Sequence, residues 1–157
     1  MKTNLVIVNR TDDGWLSAGV NEYLARIGRY IPFSTTLIDD IKKAKSFSES
    51  QIKEKEGDAI LKKIAVSDAV VLMDERGTRF SSRGFAQFME KQMGSGIKNL
   101  FFVIGGAYGF SDEMYRRANY KISLSDMTFP HQMVRLIFAE QLYRALTIIN
   151  NEPYHHD

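Results

Sequence analysis

The chain has 157 residues, of which 44% are hydrophobic and 25% are charged. These values are close to the globular average and exclude the disordered and fibrous classes. The chain contains no cysteine, which excludes disulfides, thiolate nucleophiles and cysteine-ligated metals. The formal net charge is +2, from 21 basic and 19 acidic residues, an excess too small to indicate a nucleic-acid partner by itself.

The length fits one domain, which we predict to span residues 1–157. The first apolar run, residues 5–8, is shorter than the core of a signal peptide, and every later apolar segment is shorter than a membrane span. We therefore expect a cytoplasmic protein without a membrane-spanning segment.

Strand-like and helix-like apolar patterns alternate along the chain. The predicted strands are residues 5–8, 34–38, 69–73, 100–104 and 121–124. The predicted helices lie around residues 16–27 (with Asp12 or Asp13 as the cap), 48–64, 85–89, 111–119 and 131–150. This order predicts an α/β fold, in which helices cover both faces of a parallel sheet. Residues 100–104 are apolar on both faces and predict the central strand.

Basic residues form two groups. Between residues 42 and 63, seven lysines are interspersed with four acids, which favours a solvated helix face over an RNA-binding patch. The second group, Arg76, Arg79 and Arg83, follows Glu75 in a predicted loop. Arg76 and Arg79 of this group are candidates for contacts with phosphate groups, and a structural role on the surface or at a dimer interface is equally compatible with the pattern.

Three polar or glycine-rich segments follow predicted strands, at residues 74–82, 105–111 and 125–131. In a parallel sheet, ligands bind at the carboxyl ends of the strands, so these segments are where we expect chemistry. The second segment is not a dinucleotide-binding fingerprint, because Ala107 stands where that spacing requires glycine. Its glycines predict either a tight turn or a close backbone approach to a ligand.

The third segment crowds Ser125, Asp126 and Thr128 into one turn between strand and helix. Pro130 is tolerated only in the first turn of a helix, so the last helix begins near it. The turn either holds a polar ligand or caps that helix. His131 would be biased by the helix dipole towards the neutral imidazole, as a proton acceptor requires, although an isolated histidine is more often structural.

The last predicted helix is apolar on more than one side, which indicates deep burial, a subunit contact or both. We expect a homodimer. Residues 153–156 form an aromatic, histidine-rich tail. A metal site there is disfavoured, because the adjacent His155 and His156 rarely chelate one ion, and we expect no metal.

Taken together, these segments resemble the RlmH family, which methylates a pseudouridine of bacterial large-subunit ribosomal RNA. The resemblance rests on motifs that span essentially the whole chain, and the motifs in its C-terminal half are the specific ones. They are Asp74-Glu75-Arg76-Gly77 with Ser81-Ser82, residues 102–109, residues 123–128 with Pro130-His131 and Arg135, residues 140–145, and Pro153-Tyr154-His155. One departure is His156, which stands where the family has a basic residue.

The resemblance implies a single-domain SPOUT methyltransferase fold with a C-terminal trefoil knot, assembled as a homodimer. It implies methylation at N3 of a pseudouridine in 23S ribosomal RNA within the assembled 70S ribosome, with S-adenosylmethionine as the cofactor. The implied cofactor-binding residues are Leu72, Met73, Gly105, Gly106, Leu124, Ser125, Asp126, Met127, Thr128, Phe129 and Pro130.

The candidate catalytic residues are His131, His155, Tyr154 and Arg144. Either histidine could accept the N3 proton, as could a backbone carbonyl or a water molecule. Arg144, like Arg76 and Arg79, is a candidate for phosphate contacts or for polarising the uracil carbonyls, and Tyr154 is a candidate for stacking on a base. Two alternatives from other classes are a nucleotide-sensing module without chemistry and a non-catalytic ribosome-binding dimer.

Overall fold

A computed structural model describes residues 1–12 and 14–157, so the candidate helix cap Asp13 lies outside the described residues. The strands are β1 (Lys2–Val8), β2 (Phe33–Ile38), β3 (Ala69–Arg79), β4 (Asn99–Ile104) and β5 (Tyr120–Ser123). The helices are α1 (Gly14–Ile27), α2 (Glu49–Leu61), α3 (Ser82–Met93), α4 (Asp112–Arg117) and α5 (His131–Ile149).

All pairings in the five-stranded sheet are parallel, and the strand order is β2-β1-β4-β3-β5. The predicted α/β class and the central position of β4 are therefore confirmed. Val103 in the middle of β4 lies opposite Val6 of β1 and Leu72 of β3. The trefoil knot that the resemblance implies stays a prediction. Within the described residues, no helix is long and apolar enough to cross a membrane.

Helices cover both faces of this single-domain sheet, because alternate residues of each strand point to opposite sides. Val71 and Phe102 belong to the core under α1, α3 and α5. Leu72 and Val103 belong to the second core, under α2 and α4. Phe138 of α5 is fully buried, with its ring centroid 4.8 Å from that of Phe102. Burial of one such side chain stabilises the fold by about 1.5–3 kcal/mol.

Arg135 fixes the beginning of α5 to the end of β1. Its side chain is fully buried, and its guanidinium donates to the Val8 carbonyl at 2.5 Å and to the Thr11 hydroxyl at 2.8 Å. Burying a charge is costly unless it is paired; here Nη1 and Nη2 each have a partner, whereas Nε has none among the described residues. The first turn of α5 is therefore held against the edge of the sheet where β1 ends.

The prediction that β3 ends at residue 73 was wrong, because the strand continues to Arg79. Met73 and Thr78 both lie opposite Ile122 of β5, so residues 74–77 bulge out of the ladder before pairing resumes. Gly77 allows the strand to resume pairing with β5 after the bulge. A Cβ atom there would lie 2.5–2.6 Å from backbone atoms of Lys121 and Ile122, which is closer than real Cβ contacts.

We expect Gly77→Ala to lower the free energy of unfolding by about 1–3 kcal/mol, because a methyl group there would displace backbone rather than a flexible side chain. Urea denaturation followed by circular dichroism measures this change. Gly28→Ala is the matched control, since its Cβ would meet its nearest atom at an ordinary 3.6 Å. Equal stabilities for the two variants would contradict the close packing of Gly77 on β5.

Candidate functional site

A cleft of about 670 Å³ opens at the carboxyl ends of β3, β4 and β5. The three segments singled out in the sequence meet there: residues 73–76 form one wall, residues 104–110 another and residues 122–131 a third. This convergence follows from parallel pairing, which brings the ends of neighbouring strands to one edge of the sheet. The volume of the cleft lies within the range of about 300–1,000 Å³ usual for small-molecule sites.

Nine of the eleven predicted cofactor-binding residues line the cleft. They are Met73, Gly105, Gly106, Leu124, Ser125, Met127, Thr128, Phe129 and Pro130.

The other two predicted residues, Leu72 and Asp126, do not line the cleft. Leu72 is fully buried in the core under α2 and α4, because the alternation of β3 sends its side chain to that face of the sheet. The side chain of Asp126 turns outward and forms an ion pair with Arg79. Neither side chain faces the cleft, and a contact of either residue with the cofactor through its backbone stays a prediction.

The glycine loop after β4 rests on a buried carboxylate. The Gly106 backbone packs against the carboxylate of Glu56 on α2, a residue that is only 6% exposed. A Cβ atom on Gly106 would lie 2.8 Å from one Glu56 carboxylate oxygen and 2.9 Å from the other. Burial raises the pKa of Glu56, and repulsion from Asp40 adds to that shift, while the Gly106 N–H opposes it.

Glu56 was not among the predicted site residues, because the surrounding lysines and acids predicted a solvated helix face. The available signal was its spacing. Glu56 lies midway between Ile52 and Ile60, at intervals of four residues, on the buried face of α2. A buried acid is costly without a partner; the Gly106 backbone N–H favours its charged form, while Glu56 Oε2 has no hydrogen-bond partner among the described residues.

A second missed residue, Tyr115 of α4, fixes the opposite wall of the cleft. Its hydroxyl donates a short hydrogen bond to the Asp74 carboxylate. Burial, with this bond, raises the pKa of Tyr115 to about 12, so the phenol stays protonated and remains a donor near neutral pH. The other Asp74 oxygen accepts the backbone N–H of Arg76 at 2.8 Å, which orders the start of the bulge in β3.

Hydrogen bonds within the chain also shape the turn before α5. The Ser123 hydroxyl donates to the Ser125 carbonyl at 2.9 Å, and the Ser125 hydroxyl accepts the Met127 N–H at 2.9 Å. The turn is thus held by its own polar groups at the mouth of the cleft.

His131 is the first residue of α5 and lies half-buried at the rim of the cleft. Burial lowers its pKa, the nearby Arg135 guanidinium lowers it further, and Asp12 opposes both effects. The imidazole is therefore neutral at physiological pH and has a nitrogen available to accept a proton.

The other three candidate catalytic residues, Arg144, Tyr154 and His155, form a separate cluster around Glu140. Arg144 forms an ion pair with Glu140, and the Tyr154 hydroxyl donates to the same carboxylate at 3.1 Å. Arg144 lies 13 residues after His131 on α5, which corresponds to about 20 Å along the helix axis. Within one chain, the four candidates therefore lie in two separate places: His131 is at the cleft, and the other three are around Glu140.

Both ring nitrogens of His155 are engaged in this cluster. Nδ1 lies 3.2 Å from Arg144 Nη1, and Nε2 lies 3.0 Å from the Asp157 carboxylate. Because a guanidinium only donates, Nδ1 accepts and Nε2 carries the proton. In this arrangement His155 has no free nitrogen for the chemistry of the cleft, whereas His131 lies beside it.

Across residues 1–12 and 14–157, no group of three or more histidine, aspartate or glutamate side chains is arranged to hold a metal ion.

Comparison with known proteins gives consistent results. The family model described as "Predicted SPOUT methyltransferase" matches residues 1–155. The ribosomal RNA large subunit methyltransferase H of Parabacteroides distasonis is 53% identical over 157 residues, which cover 100% of both chains. The protein of the same name from Christiangramia forsetii is 54% identical over 156 residues, 99% of each chain.

A solved structure supports the fold. The crystal structure of a probable methyltransferase from Bordetella pertussis Tohama I matches with a TM-score of 0.58 at 10% identity, covering 92% of this chain and 94% of that one. The chain belongs to the SPOUT methyltransferase family. Within that family, it groups with the relatives named ribosomal RNA large subunit methyltransferase H.

Proposed function

We propose that this chain transfers the methyl group of S-adenosylmethionine to N3 of a pseudouridine in large-subunit ribosomal RNA. The observation that carries the proposal is the cleft where three segments meet at the carboxyl ends of β3, β4 and β5, in a chain of the SPOUT methyltransferase family. Relatives about 53% identical along the whole chain are named for this RNA class.

The residues of the cleft fit an adenosyl group. Met73, Ile104 and Ile122 provide an apolar floor at the strand ends, as a purine ring requires. The glycine loop and the turn at residues 124–130 provide backbone N–H and C=O groups for the polar edges of the adenosine and the amino acid. Three acids, Asp74, Glu75 and Asp112, and two bases, Lys53 and Arg76, line the cleft, so its formal charge is −1, a sign that suits a sulfonium and an ammonium group.

When bound, S-adenosylmethionine supplies an electrophilic methyl group on a sulfonium. The residues of the chain must then hold the nucleophile in line with it at about 3 Å, and such positioning can contribute roughly 7–11 kcal/mol. N3 of the base carries a weakly acidic proton that must leave. His131, neutral and at the rim of the cleft, is placed to accept it.

The proposed active form is a homodimer. Arg144 on α5, and Tyr154 and His155 in the tail that follows it, cluster away from the cleft of their own chain, so a role in the reaction requires that they serve the cleft of a second copy. Apolar residues of α5, among them Met133 and Ile137, are only half-buried in one chain and would be covered by such a contact.

The proposed substrate is the RNA of the assembled 70S ribosome, which places the enzyme in the cytoplasm. The names of the relatives support large-subunit ribosomal RNA as the substrate class, and the mild positive charge of the chain is compatible with it.

The proposal predicts that the purified protein binds S-adenosylmethionine in a calorimeter. It also predicts transfer of a radiolabelled methyl group to ribosomes from a strain that lacks the gene. The label should appear in 23S RNA, at one pseudouridine after nuclease digestion, and more strongly with 70S particles than with free 50S subunits. Binding of ATP or NAD instead of the methyl donor, or label in protein alone, would refute the proposal.

We expect Gly106→Ala to weaken binding of S-adenosylmethionine roughly tenfold to hundredfold, because the added methyl group must displace the glycine loop or the Glu56 carboxylate. Calorimetry measures the affinity, and circular dichroism verifies the fold. Gly94→Ala is the matched control, since its Cβ would have 3.7 Å to its nearest atom. Wild-type affinity in Gly106→Ala would show that the methyl donor binds elsewhere.

If His131 accepts the proton, the methylation rate should fall as the pH falls through its pKa. Since that pKa lies below the ordinary value of 6.5, the acid limb should have its midpoint below 6.5. His131→Gln should lose this limb and reduce the rate at neutral pH by about a hundredfold or more, with the affinity for S-adenosylmethionine largely kept. An unchanged profile in this variant would assign the proton transfer to another group.

A further inference from the structure

A second concavity, of about 540 Å³, lies beside β5 and adjoins the cleft. It opens between the outer edge of β5 and α3, and Arg76 and Ile122 line both it and the cleft. We call it the β5 groove. Its lining residues are Arg76, Gly77, Thr78, Phe80, Gly84, Gln87, Phe88, Lys91, Asn119, Tyr120, Lys121 and Ile122.

Aromatic rings line the β5 groove and remain accessible. Phe80 is 38% exposed and Tyr120 is 41% exposed. Both rings are supported by Phe88, whose centroid lies 5.6 Å from that of Phe80 and 5.2 Å from that of Tyr120. Exposed rings held from behind in this way provide flat surfaces on which bases stack.

The charge of the β5 groove is entirely positive. Arg76, Lys91 and Lys121 give it a formal charge of +3, whereas the whole chain carries only +2, and its lining residues include no acid. In the part of the chain that the structure describes, none of these three cations takes part in an ion pair. Cations interleaved with aromatic rings are the pattern of single-stranded nucleic-acid sites.

The neighbouring arginines contrast with those of the groove. Arg79 is paired with Asp126, and Arg83 is paired with Asp157 through three hydrogen bonds. These two guanidinium groups therefore connect segments of the protein. Of the three arginines grouped in the sequence analysis, only Arg76 lines both the cleft and the β5 groove, so it is the one positioned to contact a substrate.

We propose that the β5 groove binds the single-stranded RNA that flanks the nucleotide to be methylated. A base stacks on Tyr120 or Phe80, and Lys91, Lys121 and Arg76 neutralise the phosphates leading to the cleft. The inference rests on the proposed function and adds the surface that would hold the RNA. A second copy of the chain suits this surface less well, because β5 is short and its lysine disfavours pairing between strand edges.

The test compares Lys91→Glu with Lys63→Glu, a matched change at an exposed lysine after α2, in the helix layer on the other face of the sheet. With 70S ribosomes from a strain lacking the gene, Lys91→Glu should raise the KM for ribosomes about tenfold. It should also reduce the slope of log affinity against log salt by about one. Lys63→Glu should change neither quantity, and calorimetry should give both variants wild-type affinity for S-adenosylmethionine.

Tyr120 supplies a second, independent test of stacking. Tyr120→Leu should raise the KM for ribosomes roughly tenfold, since it keeps an apolar side chain but removes the flat ring. Tyr120→Phe, which keeps the ring, should restore the wild-type value. Circular dichroism verifies that both variants fold.

The inference would be overturned if Lys91→Glu and Lys63→Glu bound the cofactor and methylated ribosomes equally well, a result that would leave the proposed function intact. It would also be overturned if Lys91→Glu changed the sedimentation of the free protein from dimer to monomer, because the β5 groove would then be a subunit contact. Failure of the wild-type protein to bind S-adenosylmethionine or to label RNA would instead remove the proposed function and this inference with it.

Discussion

Parallel pairing of β3, β4 and β5 brings the carboxyl ends of all three strands to one edge of the sheet, and every functional feature depends on that constraint. The segments that follow these strands therefore all lie at the rim of one cleft. Arg135 adds the fourth boundary, because it ties the first turn of α5, and with it His131, to the end of β1.

Two glycines allow backbone to occupy space that a side chain would otherwise fill. Gly77 lets β3 return to β5 after its bulge, and Gly106 lets the loop after β4 rest on the Glu56 carboxylate. The contact of Gly77 with β5 shapes the wall shared by the cleft and the β5 groove. The contact of Gly106 with Glu56 holds the glycine loop at the edge of the cleft. A methyl donor and its RNA substrate would thus occupy adjoining parts of one surface.

Local patterns predicted most of the fold, because helix and strand periods are properties of short segments. The strand order, and the resumed pairing of β3 with β5 after its bulge, depend on contacts between distant residues. The sequence pattern therefore predicted that β3 ends at residue 73. The direction of the Leu72 side chain, into the core under α2 and α4, could not be predicted, because a strand that is apolar on both faces does not reveal which face each residue takes. Glu56 looked like one more charge among lysines, although its spacing from Ile52 marked a buried face. The separation of Arg144 from His131 follows from helix rise and could have been derived from the sequence.

The central claim is that the methyl donor lies between the segments that follow β3, β4 and β5. A crystal structure of the protein grown with S-adenosylmethionine tests it most directly. The account predicts the adenine against Met73, Ile104 and Ile122, with the backbone of Gly106 in contact with the ligand and the methyl group facing His131. Adenosine bound elsewhere on the protein, with these segments unchanged and the cleft filled only by water, would contradict it.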